Sequence, residues 1–109
     1  MKRHLCLEEV RDFIKDHKAV LLYFSTRACH VCDDLLPKIT HLIKNRFSLI
    51  HLLEVDSQAN PQLAALYDVF APPVLLVFFE GREAIRRSRF VGIEELASLL
   101  SRPYELLFS

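Results

Sequence analysis

The 109-residue sequence contains no tryptophan, only two glycines and one methionine, and its five prolines are scattered. Flexible linkers and low-complexity segments are rich in glycine, serine or proline, and no stretch of this chain has that composition. A chain of this length has room for one hydrophobic core. The sequence therefore predicts a single domain over residues 1–109.

Net charge and long apolar runs are lacking as well. Lysine plus arginine and aspartate plus glutamate both number 14, so no basic surface for nucleic acid is expected. The longest apolar runs, 19–24 and 74–79, have six residues each, whereas a membrane-spanning helix needs about 20. Glu8 and Glu9 interrupt the apolar stretch that a secretory signal requires. We expect an uncleaved cytoplasmic protein that binds neither membrane nor nucleic acid.

The three cysteines are Cys6, Cys29 and Cys32. An odd number cannot close entirely into intramolecular disulfides, so a structural framework of the secreted kind is not expected. The Cys29/Cys32 pair is therefore predicted to be chemical rather than architectural. Cys6, beside the first helix, is expected to be a small buried hydrophobe rather than a redox partner.

The spacing of apolar residues predicts an α/β protein. After a short lead that could form an edge strand, the expected helices and strands are helix 7–17, strand 19–25, helix 32–46 with a kink at Pro37, strand 48–55, a helix opened by Asn60-Pro61 with asparagine as cap, strand 74–79, strand 83–90 and a last helix from Ile93. This order combines a β-α-β unit with a hairpin. It predicts a central mixed β-sheet flanked by helices on both faces.

Two surface features complete this pattern. Four arginines lie in or just before the last predicted strand: Arg82, Arg86, Arg87 and Arg89. Their charges are expected to protect an exposed sheet edge, and the alternative is that they bind an acidic partner. The tail 103–109 is apolar for a terminus. It is expected either to pack on the core or to form a dimer contact.

The cysteine pair lies where a buried strand leads into a helix. Unpaired N–H groups and the helix dipole favour a thiolate at a helix amino terminus, so Cys29 is predicted to be the attacking thiolate. Cys32, one turn later, can attack the mixed disulfide that Cys29 forms with a substrate. Arg27 and His30 would favour the thiolate further if they point at its sulfur. A metal site built from the pair, His30 and either Cys6 or His4 remains an alternative.

Two blocks of the chain resemble the thioredoxin family. The first runs from Tyr23 through Cys29-His30-Val31-Cys32 to Pro37, and the second covers 67–81, with Pro73 in the position of the family's cis-proline. The resemblance implies the thioredoxin fold and reduction of disulfides in protein substrates by dithiol–disulfide exchange. It implies no cofactor beyond the redox-active disulfide, no metal, and electrons from a thioredoxin reductase.

The resemblance also implies which residues contact substrate, and it leaves rivals open. His30 and Val31 between the cysteines, together with Pro72 and Pro73, would form the substrate contact, and the Pro72–Pro73 bond would be cis. A disulfide oxidase or isomerase on the same fold is one alternative. A binding module that uses the cysteines only for metal or structure is the other.

The chain departs from the family pattern at several positions. Ala28 stands where the family has tryptophan, and His30-Val31 replaces glycine-proline. Tyr23 occupies the position of the buried acid that assists proton transfer, and a phenol is a poor base at neutral pH. Pro72 has no backbone N–H, so it can only accept a hydrogen bond from an extended substrate. Peptides should therefore be held more weakly, or by side-chain contacts instead.

Overall fold

The computed structural model describes residues 6–27, 29–89 and 91–109. Its elements in chain order are α1 (Leu7–Asp16), β1 (Ala19–Ser25), α2 (His30–Arg46), β2 (His51–Asp56), α3 (Pro61–Leu66), β3 (Val74–Phe79), β4 (Arg82–Ser88) and α4 (Ile93–Phe108). The predicted lead strand, Ala28 and the end of the last predicted strand at Phe90 lie outside the described residues.

The four strands form one sheet in the order β2-β1-β3-β4. β1 is parallel to β2 and antiparallel to β3, and β3 is antiparallel to β4. The β1–β2 pair is parallel because α2 carries the chain back between the two strands, whereas β3 and β4 are joined by a tight turn at Gly81, whose φ is +81°. The predicted mixed sheet is confirmed.

Helices cover both faces of the sheet, as predicted. Alternate residues of β1 point to opposite faces, and all seven are buried, which explains its continuous apolar run. Leu21 and Tyr23 pack with α2 and α4. Leu22 and Phe24 pack on the other face with Val10 of α1 and with α3.

The structure corrects several predicted boundaries. α2 begins at His30 rather than at residue 32, and β2 begins at His51 rather than at 48, because Phe47 caps α2 and the Ile50 N–H donates to the Phe47 carbonyl at 2.9 Å. Asn60 precedes α3 as predicted but does not cap it through its side chain. Its Nδ2 instead donates to the Asp56 carbonyl at 3.0 Å.

The apolar tail is the last part of α4, which continues through Pro103 to Phe108. Tyr104 packs edge-on against Phe47, with ring centroids 5.1 Å apart. Its hydroxyl accepts a hydrogen bond from the Leu49 N–H at 3.2 Å. The expected packing of this segment on the core is confirmed, and the dimer contact stays a prediction.

No helix in the described ranges is long and apolar enough to cross a membrane. α2 and α4, with 17 and 16 residues, are the two longest of these helices, and each carries charged side chains. Both pack on the same face of the sheet.

The environment of His51 is expected to make the stability of the fold depend on pH. The centroids of the His17 and His51 rings lie 4.1 Å apart. Partial burial lowers the pKa of His51, and the charge of the nearby His17 lowers it further. A group whose pKa is lowered on folding binds its proton more readily in the unfolded chain. The free energy of unfolding therefore decreases as the pH falls toward the pKa of His51 in the folded protein. We expect the urea midpoint to fall between about pH 7 and pH 5, and less so in His51→Gln.

The matched control for this prediction is His41→Gln. His41 contacts Asn45 on the same exposed face of α2, so this variant should keep the wild-type dependence of the urea midpoint on pH. An equal change in both variants would mean that the His17–His51 pair is not the cause.

Candidate functional site

The cysteine pair follows the carboxyl end of strand β1, at one end of the sheet. β1 ends at Ser25, and the turn that follows closes with the Cys29 N–H donating to the Thr26 carbonyl at 3.2 Å. Cys29 is the N-cap of α2. Functional sites of open α/β sheets gather at the carboxyl ends of parallel strands, and the pair lies at that end of β1.

Cys29 and Cys32 form a disulfide. The Cys29 sulfur also accepts a hydrogen bond from the Cys32 N–H at 3.1 Å, so it lies at the unpaired N–H groups of the first helical turn. Cys29 is partly exposed, whereas Cys32 is only 1% exposed. In the reduced pair this arrangement favours a thiolate on the accessible sulfur and leaves the second sulfur shielded.

The residues beside the pair are open to solvent. His30 is the first residue of α2, Val31 is 41% exposed, and Arg27 is exposed in the preceding turn. Solvent screens exposed charges, so an influence of Arg27 or His30 on the Cys29 sulfur remains a prediction. Val31 presents an apolar side chain between the two cysteines.

The pairing of β1 with β3 brings Pro72 and Pro73 to the end of the sheet at which the cysteine pair lies. Their peptide bond is cis, and Val74, which follows them, is the register partner of Phe24 near the end of β1. Pro73 is buried and lines a small gap together with Tyr23. The Pro73 carbonyl accepts a hydrogen bond from the Arg89 N–H at 2.7 Å. Pro72 is half-buried and is thus the more exposed of the two prolines.

Tyr23 lies beneath the second cysteine. It is fully buried, and its hydroxyl donates to the Cys32 carbonyl at 3.0 Å. Burial raises the pKa of the Tyr23 phenol well above its usual range, and the charges of Glu54 and Asp33 add to this shift. The phenol therefore stays protonated and acts as a hydrogen-bond donor to the start of α2.

Glu54 and Ser25 complete this polar cluster, and neither was predicted from the sequence to belong to the site. Glu54 is the register partner of Tyr23 on β2 and is half-buried. The Ser25 hydroxyl donates to its Oε2 at 3.3 Å. The signal in the sequence was a charged residue within the otherwise apolar stretch 52–55 of β2, near the end of the sheet where the cysteines lie.

A groove of about 290 Å³ opens beside Val31, the residue that precedes Cys32. Val31, Asp34, Leu35 and Lys38 of α2 form one wall, and Val91, Gly92 and Ile93 at the start of α4 form the other. Most of these side chains are apolar. The groove therefore offers a largely apolar surface at the start of α2, the end of the helix at which the cysteine pair lies.

Cys6 is not the buried hydrophobe that was expected. It is exposed and caps α1: its sulfur accepts from the Glu9 N–H at 3.3 Å, and Glu9 Oε1 accepts from the Cys6 N–H at 3.0 Å. Within residues 6–27, 29–89 and 91–109, no three metal-ligating side chains are grouped to hold an ion. His4, the other candidate ligand, lies outside these ranges.

The arginines of β4 occupy an edge of the sheet, as the protective interpretation requires. Arg86 binds Glu83 at 2.8 Å and also donates to the Tyr67 carbonyl at 2.8 Å. Arg87 reaches Glu95 on α4 at 3.3 Å. These two arginines thus have partners within the fold.

The sequence profile of the thioredoxin family matches residues 3–102. The chain belongs to the thioredoxin family. It is 36% identical over 100 residues to the thioredoxin-like protein YdfQ of Bacillus subtilis, covering 92% of this chain and 88% of that protein.

Solved thioredoxin structures share the fold. A mutant thioredoxin from Halobacterium salinarum superposes with a TM-score of 0.77 at 21% identity, covering 98% of this chain and 86% of the other. The oxidised form of mitochondrial thioredoxin 3 from Saccharomyces cerevisiae gives 0.73 at 23% identity, with 93% and 90% covered. The predicted thioredoxin fold is confirmed.

Proposed function

We propose that this thioredoxin-family protein reduces disulfides in protein substrates through Cys29 and Cys32. The observation that supports it most directly is the Cys29–Cys32 disulfide at the amino terminus of α2, with the first sulfur partly exposed and the second buried. The groove at the start of α2, lined mostly by apolar side chains together with Asp34 and Lys38, supports a polypeptide as the substrate. No metal or organic cofactor is needed, because the two thiols supply both electrons.

The reaction begins with the reduced pair. The Cys29 thiolate attacks one sulfur of the substrate disulfide, forming a mixed disulfide and releasing the other substrate sulfur, which takes up a proton. Cys32 then loses its proton and attacks the Cys29 sulfur, which releases the second substrate thiol. The substrate gains two electrons and two protons, and the protein is left as the disulfide seen in the structure.

The reduction potential separates a reductase from its rivals on the same fold. Thioredoxin has a potential of about −270 mV, protein disulfide isomerase about −180 mV and the oxidase DsbA about −120 mV. We expect a value close to that of thioredoxin when the Cys29/Cys32 pair is equilibrated with dithiothreitol buffers. A value above about −200 mV would identify an oxidase or isomerase instead.

Trapping tests the assigned roles and identifies partners. Cys32→Ser can form the mixed disulfide through Cys29 but cannot resolve it, so substrate proteins should remain attached and be released by dithiothreitol. The double variant Cys29→Ser/Cys32→Ser is the matched control and should trap nothing. Trapping through Cys6 in that control would contradict the assignment.

The physiological context belongs to the same proposal. A thioredoxin reductase is the expected electron donor, and the cytoplasm, where thiols are kept reduced, is the expected compartment. NADPH oxidation by a thioredoxin reductase in the presence of the oxidised protein would measure the first directly. No oxidation above the rate without the protein would exclude that donor.

Tyr23 is expected to act structurally in this reaction. Tyr23→Phe keeps the buried ring and removes the hydrogen bond to the Cys32 carbonyl, which should lower the free energy of unfolding by about 1 kcal/mol. Because burial holds the pKa of the phenol far above neutral, the pH profile of insulin reduction should keep its shape. Loss of an ionisation from that profile would show that Tyr23 takes part in proton transfer.

A further inference from the structure

Phe70 is the most exposed large apolar side chain of the described residues, at 85%. The backbone of the residues that precede Phe70 is nevertheless fixed by hydrogen bonds. Val69 is buried and its N–H donates to the Ala64 carbonyl at 2.8 Å, while Arg86 donates to the Tyr67 carbonyl at 2.8 Å. The fold thus presents an aromatic ring to solvent from an anchored segment.

The position of Phe70 relates it to the redox pair. It lies three residues before Pro73, so at most about 11 Å of chain separates the two. Since β3 is antiparallel to β1, the segment before Val74 reaches the same edge of the sheet at which β1 delivers Cys29. Val31, 41% exposed between the cysteines, adds a second apolar side chain at this edge.

We infer that Phe70 determines substrate specificity by packing against an apolar side chain close to the cysteine of an extended protein substrate. The inference rests on the proposed disulfide reduction. A substrate strand bound to Cys29 and passing Pro72 can donate a hydrogen bond to the Pro72 carbonyl but finds no N–H there. Side-chain contacts must then supply the missing affinity and register, and an exposed aromatic ring provides them at low entropic cost.

Paired disulfide peptides test this inference. The two peptides differ only in carrying leucine or serine about three residues from the cysteine, a distance of about 10 Å in an extended chain. We expect wild-type KM to be about tenfold lower for the leucine peptide, with kcat similar for both. Phe70→Ala should remove this preference, and Phe70→Leu should retain most of it.

Leu106→Ala is the matched control. Leu106 is 71% exposed near the end of α4. The neighbouring Tyr104 packs on Phe47, which lies just beyond the carboxyl end of α2, whereas the cysteines lie at its amino end. This variant should discriminate between the peptides as the wild type does. Oxidised glutathione, which carries no apolar side chain for Phe70 to contact, should be reduced equally by all four proteins.

Each result has a separate meaning. If Phe70→Ala reduces both peptides and keeps the leucine preference, the inference is wrong while the proposed reductase stands. If the wild type shows no preference, the inference is equally wrong. If the wild type reduces neither the peptides nor oxidised glutathione, the reductase proposal fails, and the role of Phe70 fails with it.

Discussion

Cys29→Ser is expected to abolish disulfide reduction, leaving insulin reduction at the rate of dithiothreitol alone. The Cys29 sulfur is the partly exposed member of the pair and the one at the N–H groups of the first turn of α2. A serine hydroxyl in this position is not a nucleophile toward a disulfide at neutral pH, and Cys32 is too deeply buried to replace it. The measurement is insulin precipitation in the presence of dithiothreitol.

Cys6→Ser is the matched control for this loss. Cys6 is exposed but caps α1 and bonds to Glu9, so it lies in a different element from the pair. Serine is itself a good N-cap residue and should preserve the helix. Nearly full activity is expected. Equal losses in the two variants would bring Cys6 into the mechanism.

Leu22→Ala is expected to destabilise the protein by about 2–5 kcal/mol, more than Tyr23→Phe or His51→Gln. Leu22 is fully buried in β1, the strand paired on both sides, and its register partners are Leu53 and Leu76. Removing the side chain leaves a cavity that the sheet cannot close. Domains of this size have a total stability of about 5–15 kcal/mol, so the urea midpoint should fall sharply.

Leu49→Ala serves as its control. Leu49 is 52% exposed in the turn between α2 and β2, and its contact with Tyr104 is made by the backbone N–H. A change within about 0.5 kcal/mol is expected. A comparable loss at both positions, measured by urea denaturation, would contradict the assignment of Leu22 to the core.

Several elements of the fold follow from local patterns alone. β1 and β3 are continuous apolar runs, and the structure places them at residues 19–25 and 74–79 as predicted. Both strands lie in the interior of the sheet and are covered by helices on each face, so apolar residues fill them without interruption. Boundaries follow less closely from the sequence where a turn and a strand share apolar residues, as at residues 47–50.

The candidate site divides in the same way. The cysteine spacing and the helix that follows are local sequence features, and they predicted Cys29 and Cys32 at the start of α2. The resemblance of the proline block to the thioredoxin family predicted the cis bond before Pro73. Cys6 was predicted to be buried and is exposed, because a cysteine can cap a helix through its sulfur and the pattern of apolar residues does not reveal this. Asn60 likewise bonds to Asp56 rather than to α3.

The sequence by itself determined the order of the elements, the mixed sheet and the cysteine pair at the start of α2, because these follow from residue types and their spacing along the chain. Only the tertiary structure decided what surrounds the pair. Glu54 meets Tyr23 through strand pairing between residues 31 apart in the chain, and Pro73 meets the same tyrosine across the β1–β3 pairing. The exposure of Phe70 depends on how α3 and β4 hold its segment. Such contacts join distant residues, and side-chain periodicity along one segment carries no information about them.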